Sequence, residues 1–181
     1  MKNKRILIII LLIIILVTGC TKSVEIDGKK VYFDKEYNDG IIAYKYPGEF
    51  KELKPDGDYT TMYEKKMEYV YKENKDQQFI LRIEEYQLSK SFREMEEECN
   101  NIETSSSYKN LKKEKTMAKN SELRKYSYRT NDQYGDNTLY HVYFGKFYAT
   151  GLYKYIKVYF INAEDKEEFE ETFLSTFIIK P

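Results

Sequence analysis

The apolar pattern along the chain predicts an α+β domain, a central antiparallel β-sheet flanked by two amphipathic helices. Three observations carry this. Short alternating runs follow one another across tight turns, so neighbouring strands must run antiparallel. Two segments, 91–102 and 165–174, switch to helical spacing, and the two longest strand patterns, 139–149 and 152–161, lie between them.

In chain order, Met1-Lys2-Asn3-Lys4-Arg5 carries three positive charges and is followed by an unbroken Ile, Leu and Val run over 6–17. This is the charged-then-apolar layout of a secretory signal. Twelve residues of helix rise about 18 Å against roughly 30 Å of hydrocarbon, too short for a comfortable membrane span. The run ends in Val17-Thr18-Gly19-Cys20, which resembles a bacterial lipobox. Small residues suit a peptidase that binds extended backbone, and a thiol is the nucleophile that accepts a diacylglyceryl group. Residues 1–19 are therefore expected to be a lipoprotein signal peptide, with Cys20 the lipidated first residue on the extracytoplasmic face of the cell membrane. Two or three acyl chains of the palmitate kind anchor stably where one does not. No cofactor beyond this covalent lipid is expected.

Without residues 1–19 the chain keeps 27 basic and 30 acidic residues, a formal charge of −3. That balance offers no electrostatic case for nucleic acid. About 160 residues suffice for one domain with its own core. Cys99 is the only other cysteine, so with Cys20 lipidated no intrachain disulfide can form.

Residues 20–39 read as the lipidated cysteine and a tether ending in a short hairpin across Asp27-Gly28, and 40–181 as a single domain. A β-rich run over 41–46 closes at Pro47-Gly48, and Pro55-Asp56-Gly57-Asp58 is a turn cluster. Strands follow over 67–72 and 79–86, where Phe79, Leu81 and Ile83 share one face and Arg82 and Glu84 the other. One side of the sheet is thus expected to be wetter. Ser91-Phe92-Arg93-Glu94 has capping-box spacing ahead of an apolar stripe of Phe92, Met95, Cys99 and Ile102. A lysine-rich stretch and an alternating run over 123–130 predict a hairpin, with a turn at 132–137. In the last long strand Ile156, Val158 and Phe160 face one way, and Tyr153, Tyr155 and Tyr159 the other. Asp165-Lys166-Glu167-Glu168 reads as a second capping box before Phe169, Phe173 and Leu174, and an apolar tail follows at 177–179.

The opening Ile41-Ile42-Ala43-Tyr44-Lys45-Tyr46-Pro47-Gly48-Glu49-Phe50 is a strand, then Pro, then an aromatic. The last strand is followed by an acidic helix and an apolar tail. Over roughly residues 36–181 this layout resembles the PsbP-like fold, shared by a photosystem extrinsic protein, a Ran-binding nuclear-transport factor and bacterial lipoproteins. The resemblance implies an α/β/α sandwich. Because such proteins are mostly adaptors and assembly factors, it implies binding rather than catalysis.

Chemistry-bearing residues are sparse. His141 is the single histidine, and no Gly-x-Ser-x-Gly elbow accompanies it. It reads as a sheet-face residue, and a site of several His and Cys ligands is excluded by count. Asp56 and Asp58 could offer oxygens to calcium, but turn aspartates ordinarily set backbone geometry. Cys99 lies on an apolar stripe, as a small buried hydrophobe does. The lysines at 109, 112, 113, 115 and 119 could touch anionic headgroups or wall polymer, or simply solvate a hairpin. Tyr126, Tyr128, Tyr140, Tyr143, Tyr148, Tyr153, Tyr155 and Tyr159 fall on neighbouring strands. Tyrosine combines contact area with a hydroxyl at low entropy cost, so Tyr153, Tyr155 and Tyr159 form the candidate binding face unless a helix covers them. The expected function is a non-enzymatic, membrane-anchored binding or accessory module for an envelope protein partner. The alternative is a small-ligand or lipid-binding lipoprotein with an internal pocket.

Overall fold

The computed structural model describes residues 21–53, 65–72, 78–88, 93–149 and 151–180. The signal segment with Val17, Thr18, Gly19 and Cys20, the Pro55–Asp58 cluster, and Ser91 and Phe92 of the first capping box lie outside them.

The chain is mostly β. Its elements are β1 (Ser23–Ile26), β2 (Lys29–Tyr32), β3 (Lys35–Asn38), β4 (Ile42–Tyr46), β5 (Lys51–Leu53), β6 (Lys65–Lys72), β7 (Gln78–Leu88), α1 (Arg93–Thr104), β8 (Lys109–Met117), β9 (Glu122–Asp132), β10 (Gly135–Ala149), β11 (Leu152–Ile161), α2 (Glu167–Thr176) and β12 (Ile178–Ile179). An antiparallel seven-stranded sheet runs in the order β5-β6-β7-β11-β10-β9-β8, beside a three-stranded sheet β12-β4-β3 and the hairpin β1-β2.

This corrects the expected α/β/α sandwich. The expected layout has residues 21–53 as a tether with a short hairpin and one further strand, whereas they supply five strands. The hairpin and the three-stranded sheet build a second, mainly β layer, and α2 is only one part of it. Asp27 and Gly28 both adopt positive φ, 50° and 73°, the geometry of a two-residue hairpin turn. That turn directs Val24, Ile26 and Val31 inward, where with Phe33 they join the core. The apolar tail pairs Ile178 with Ala43 and Ile179 with Ile42, so the last residues close a sheet begun near residue 35.

Aromatic rings fill the space between the layers. Phe169 of α2 lies 5.1 Å from Phe33, 5.3 Å from Phe50, 5.0 Å from Phe79 and 6.2 Å from Phe160. Phe173 continues the contact to Phe160 at 5.7 Å and Tyr44 at 5.4 Å. Each of these rings is at most 5% exposed, so helix, hairpin and both sheets share one apolar joint.

The second capping box does not form. Asp165 takes φ 54°, Lys166 occupies the cap position, and no side chain caps the helix. The helix is held instead by its buried stripe.

Phe169→Ala removes the ring on which four elements converge, so it is expected to lower unfolding free energy by about 3–5 kcal/mol. Tyr32→Ala, at a 45% exposed position, is expected to change it by less than about 1 kcal/mol. Urea denaturation of the two variants measures the contrast.

Candidate functional site

The opposite face of the seven-stranded sheet is only partly covered. α1 lies across it and buries Met95, Cys99 and Ile102 against Val142, Phe144 and Tyr126. Because strand residues alternate between faces, Arg82 and Glu84 of β7, Tyr155, Lys157 and Tyr159 of β11, and Tyr126 and Tyr128 of β9 all emerge on this side. Register sets them in rows: Glu68 faces Arg82, Arg82 faces Tyr159, Tyr159 faces Val142, and Val142 faces Tyr126.

Arg82 anchors the part of this row that α1 leaves uncovered by apolar packing, its side chain 15% exposed. Its Nε donates to Glu68 Oε2 at 2.7 Å and Nη2 donates to the Tyr134 hydroxyl. Its guanidinium lies 5.7 Å from the Tyr134 ring and 5.8 Å from that of Tyr159, within range of cation–π attraction. Burial works against its charge, and Glu68 with the Tyr134 hydroxyl more than offsets this, so its pKa is raised.

One row along, Lys157 Nζ donates to Glu98 Oε2 of α1 at 2.8 Å, approaches Glu84 Oε2 at 3.4 Å and sits 4.3 Å over the Tyr86 ring. Tyr155 stacks on Tyr86 at 4.5 Å and donates to Glu98 Oε1 at 2.6 Å. Glu98 therefore pins the helix to the sheet through both of its oxygens. Glu84, 3% exposed, accepts from Tyr86 at 2.8 Å. A buried carboxylate of this kind is tolerable only with such donors.

Beyond the end of α1, Tyr108 stacks on Tyr128 at 4.2 Å and Tyr128 on Tyr140 at 5.4 Å, and Tyr140 donates to Asp132. The helix end, Tyr108, Tyr128, Lys157 and Tyr159 border an open cleft of about 400 Å³. Tyr108, Tyr134 and Tyr159 are half-buried.

The three tyrosines expected to form one binding face thus separate. Tyr155 is 2% exposed beneath α1, Tyr159 lines the cleft, and Tyr153 is 39% exposed at the far hairpin end, paired with Tyr148 at 5.1 Å. Arg82, Lys157, Tyr108 and Tyr134 were not expected there. Lys157 shares parity with Tyr155 and Tyr159, and that spacing was the available signal.

His141 lies on the other face. Its Nδ1 is 2.6 Å from Glu170 Oε1 of α2, whose Oε2 accepts from Tyr143 at 2.5 Å and from Lys125 at 3.4 Å. Glu170 is 2% exposed, so this cluster clamps α2 to β9 and β10. Cys99 is buried, and burial raises its thiol pKa, as expected of a cysteine that packs rather than reacts. The lysine-rich segment is β8, an edge strand, where Lys113 pairs with Glu103 at 2.5 Å and Lys115 with Glu122 at 3.2 Å. Charge on a sheet edge opposes pairing with another chain. No group of three or more His, Cys, Asp or Glu with metal-holding geometry occurs among the described residues. The clefts among them are open, about 300–610 Å³, mainly polar except for the smallest, while the space between the layers is filled by rings.

No family model, PsbP-like or other, and no curated protein matches the chain. Among solved structures, LpqN of Mycobacterium tuberculosis, a protein involved in cell envelope biogenesis, superposes with a TM-score of 0.55 at 8% identity, covering 81% of this chain and 90% of that one. A protein of Bacteroides thetaiotaomicron VPI-5482 reaches 0.45 at 13% identity, over 77% of this chain and 45% of that one. The likeness to LpqN is one of overall fold.

Burial raises the phenol pKa of Tyr44, Tyr69, Tyr126, Tyr128, Tyr140, Tyr143, Tyr155 and Tyr159. A raised folded pKa contributes stability that is complete below the unfolded value, about 10, and is lost as pH climbs toward the folded value. The melting temperature is therefore expected to fall steeply above about pH 10. The tyrosinate absorbance of these residues should appear together with unfolding, as parallel melting and ultraviolet titrations would show.

Proposed function

We propose that this protein is an accessory module of the cell envelope, held at the extracytoplasmic membrane face by lipid on Cys20, which engages a protein partner through the tyrosine face beside α1. The carrying observation is an open cleft lined by Tyr108, Tyr128, Lys157 and Tyr159, with the row Glu68–Arg82 and the Tyr134 ring continuing from Tyr159. Arg and Tyr dominate binding energy at protein interfaces, because each offers large contact area together with directional donors. The rings here are pre-stacked on one another or on Arg82, so little side-chain freedom remains to be lost on binding.

The fold shared with LpqN, a protein involved in cell envelope biogenesis, supports placing the module in the envelope. The lipobox-like Val17-Thr18-Gly19-Cys20 supports the anchor. The filled interlayer core favours a surface partner over an enclosed ligand. His141 acts as a clamp and no catalytic step is assigned to it, since its Nδ1 is committed to a carboxylate that Tyr143 and Lys125 also engage.

Mild cross-linking and affinity capture of the anchored protein from native membranes tests the reading. A stoichiometric envelope protein is expected with the wild type and about tenfold less of it with Tyr108→Ala combined with Tyr134→Ala. Equal recovery would remove the tyrosine face from the function. A hydrolytic activity of the pure protein abolished by His141→Ala would overturn the non-enzymatic reading altogether.

A further inference from the structure

The outer side of the three-stranded sheet carries a second surface with a different chemistry. In β4, Ile42 and Tyr44 point into the core, so Ala43 and Lys45 point outward. Register sets Ile178 beside Ala43 and Glu36 beside Lys45. The result is a shallow groove of about 300 Å³ with Ala43 and Ile178 at its floor and Lys22, Lys45 and Lys119 around it, Glu36 being the one acidic residue of its lining. All three lysines are exposed. Lys180 stands close by, with Nζ on Asn38 Oδ1 at 2.9 Å.

These lysines come from distant parts of the chain and are fixed in place by the fold. Lys22 precedes β1 directly, its carbonyl accepts from Phe33 N at 2.9 Å, and its Nζ donates to Ser175 Oγ of α2 at 2.5 Å. Lys45 N donates to Thr176 Oγ1 at 3.0 Å. Lys119 N donates to the carbonyls of Leu174 and Phe177, and its neighbour Asn120 exchanges two hydrogen bonds with Ile179.

We infer that this groove faces the membrane and that its lysines contact the phosphate of anionic lipid headgroups. The inference rests on the anchoring of Cys20 proposed above. Cys20 is two residues from Lys22, a reach of at most about 7 Å. A lipid on it cannot leave the groove more than a short distance from the headgroup layer, because the chain joins the core at Val24 without a slack linker. The local excess of positive charge stands out against a mature chain of net charge −3. Lysines so close to an anionic leaflet are each attracted to it, and the small apolar floor loses little by leaving water. β8, whose lysines lie at the far edge of the seven-stranded sheet and include the pairs Lys113–Glu103 and Lys115–Glu122, is the internal comparison.

The full-length lipidated protein, reconstituted into phosphatidylcholine vesicles with or without phosphatidylglycerol, is acetylated briefly and each lysine is quantified by mass spectrometry. On phosphatidylglycerol vesicles, labelling of Lys22, Lys45 and Lys119 is expected to fall about threefold or more relative to phosphatidylcholine, with Lys109 and Lys115 unchanged. Salt at about 0.5 M should restore it. Lys45→Glu combined with Lys119→Glu should abolish the protection at Lys22 while the protein stays on the vesicles. Uniform labelling of all lysines on floated, lipidated protein would overturn this orientation and leave the anchor intact. A Cys20 found without lipid would overturn the anchor, and the orientation with it.

Discussion

Every element of the second layer depends on the packing of Phe169 and Phe173 between the two β layers. α2 has no side-chain cap, and Asp165, just before its cap residue Lys166, is held in the left-handed region, so its own local signals are poor. It persists because Phe169 meets rings from the hairpin end, the β4–β5 segment and the seven-stranded sheet at once. The same packing sets the position of the residues that follow. Phe177 N bonds back to Phe173 and Leu174, and Ile178 and Ile179 then reach β4. Tertiary burial rather than helix propensity carries such a segment. His141, Tyr143 and Lys125 add a polar clamp on Glu170, one helical turn from this joint.

The two faces of the large sheet are built by opposite rules. One is packed by rings where α2 and the second layer cover it, with an open, mainly polar cleft of about 610 Å³ beside His141. On the other, Glu84, Lys157, Glu98, Arg82 and Glu68 are satisfied by one another and by tyrosine hydroxyls. An interior of aliphatic residues would pack more simply, since buried ion pairs seldom exceed their desolvation cost. Their retention beside an open cleft fits a surface that exchanges water for a partner. The rows are rigid because each cation is held both by a carboxylate and by a ring.

Much of this was legible in the residues. The alternation of Phe79, Leu81 and Ile83 against Arg82 and Glu84 separates the two faces of β7, and Asp27-Gly28 marks the turn it forms. The stripe Met95, Cys99 and Ile102 marks the buried side of α1. What misled was length and charge. Lys35–Asn38 and Lys51–Leu53 carry too few apolar residues to read as strands, because one is an edge strand paired only with β4 and the other an edge paired only with β6. Without them the second layer looked helical. The capping-box spacing at Asp165 was an accident of an acidic segment. For the site, strand parity put Tyr155 and Tyr159 on one side, but where α1 ends on that side depends on long-range contacts such as Glu98 with Lys157, which no local spacing encodes.

The positions of the two proposed surfaces bear on each other. The lysine groove lies on the outer side of the second layer, whereas the tyrosine cleft opens on the outer side of the first, with the aromatic joint between them. Packed β layers are spaced about 10 Å apart, so a domain resting on its groove presents the cleft away from the headgroups. A short attachment at residue 20 then makes the membrane part of the binding geometry. With a long tether the domain would tumble, and any orientation of Arg82 and Tyr134 would be sampled. With the proposed lipid only two residues from a strand of the core, rotation about the membrane normal would be free but tilting costly, which would confine the search for a membrane-bound partner to a nearly two-dimensional one. The hairpin β1-β2 is therefore the element on which this proposed arrangement turns, because it would join a lipid on Cys20 to the core without slack.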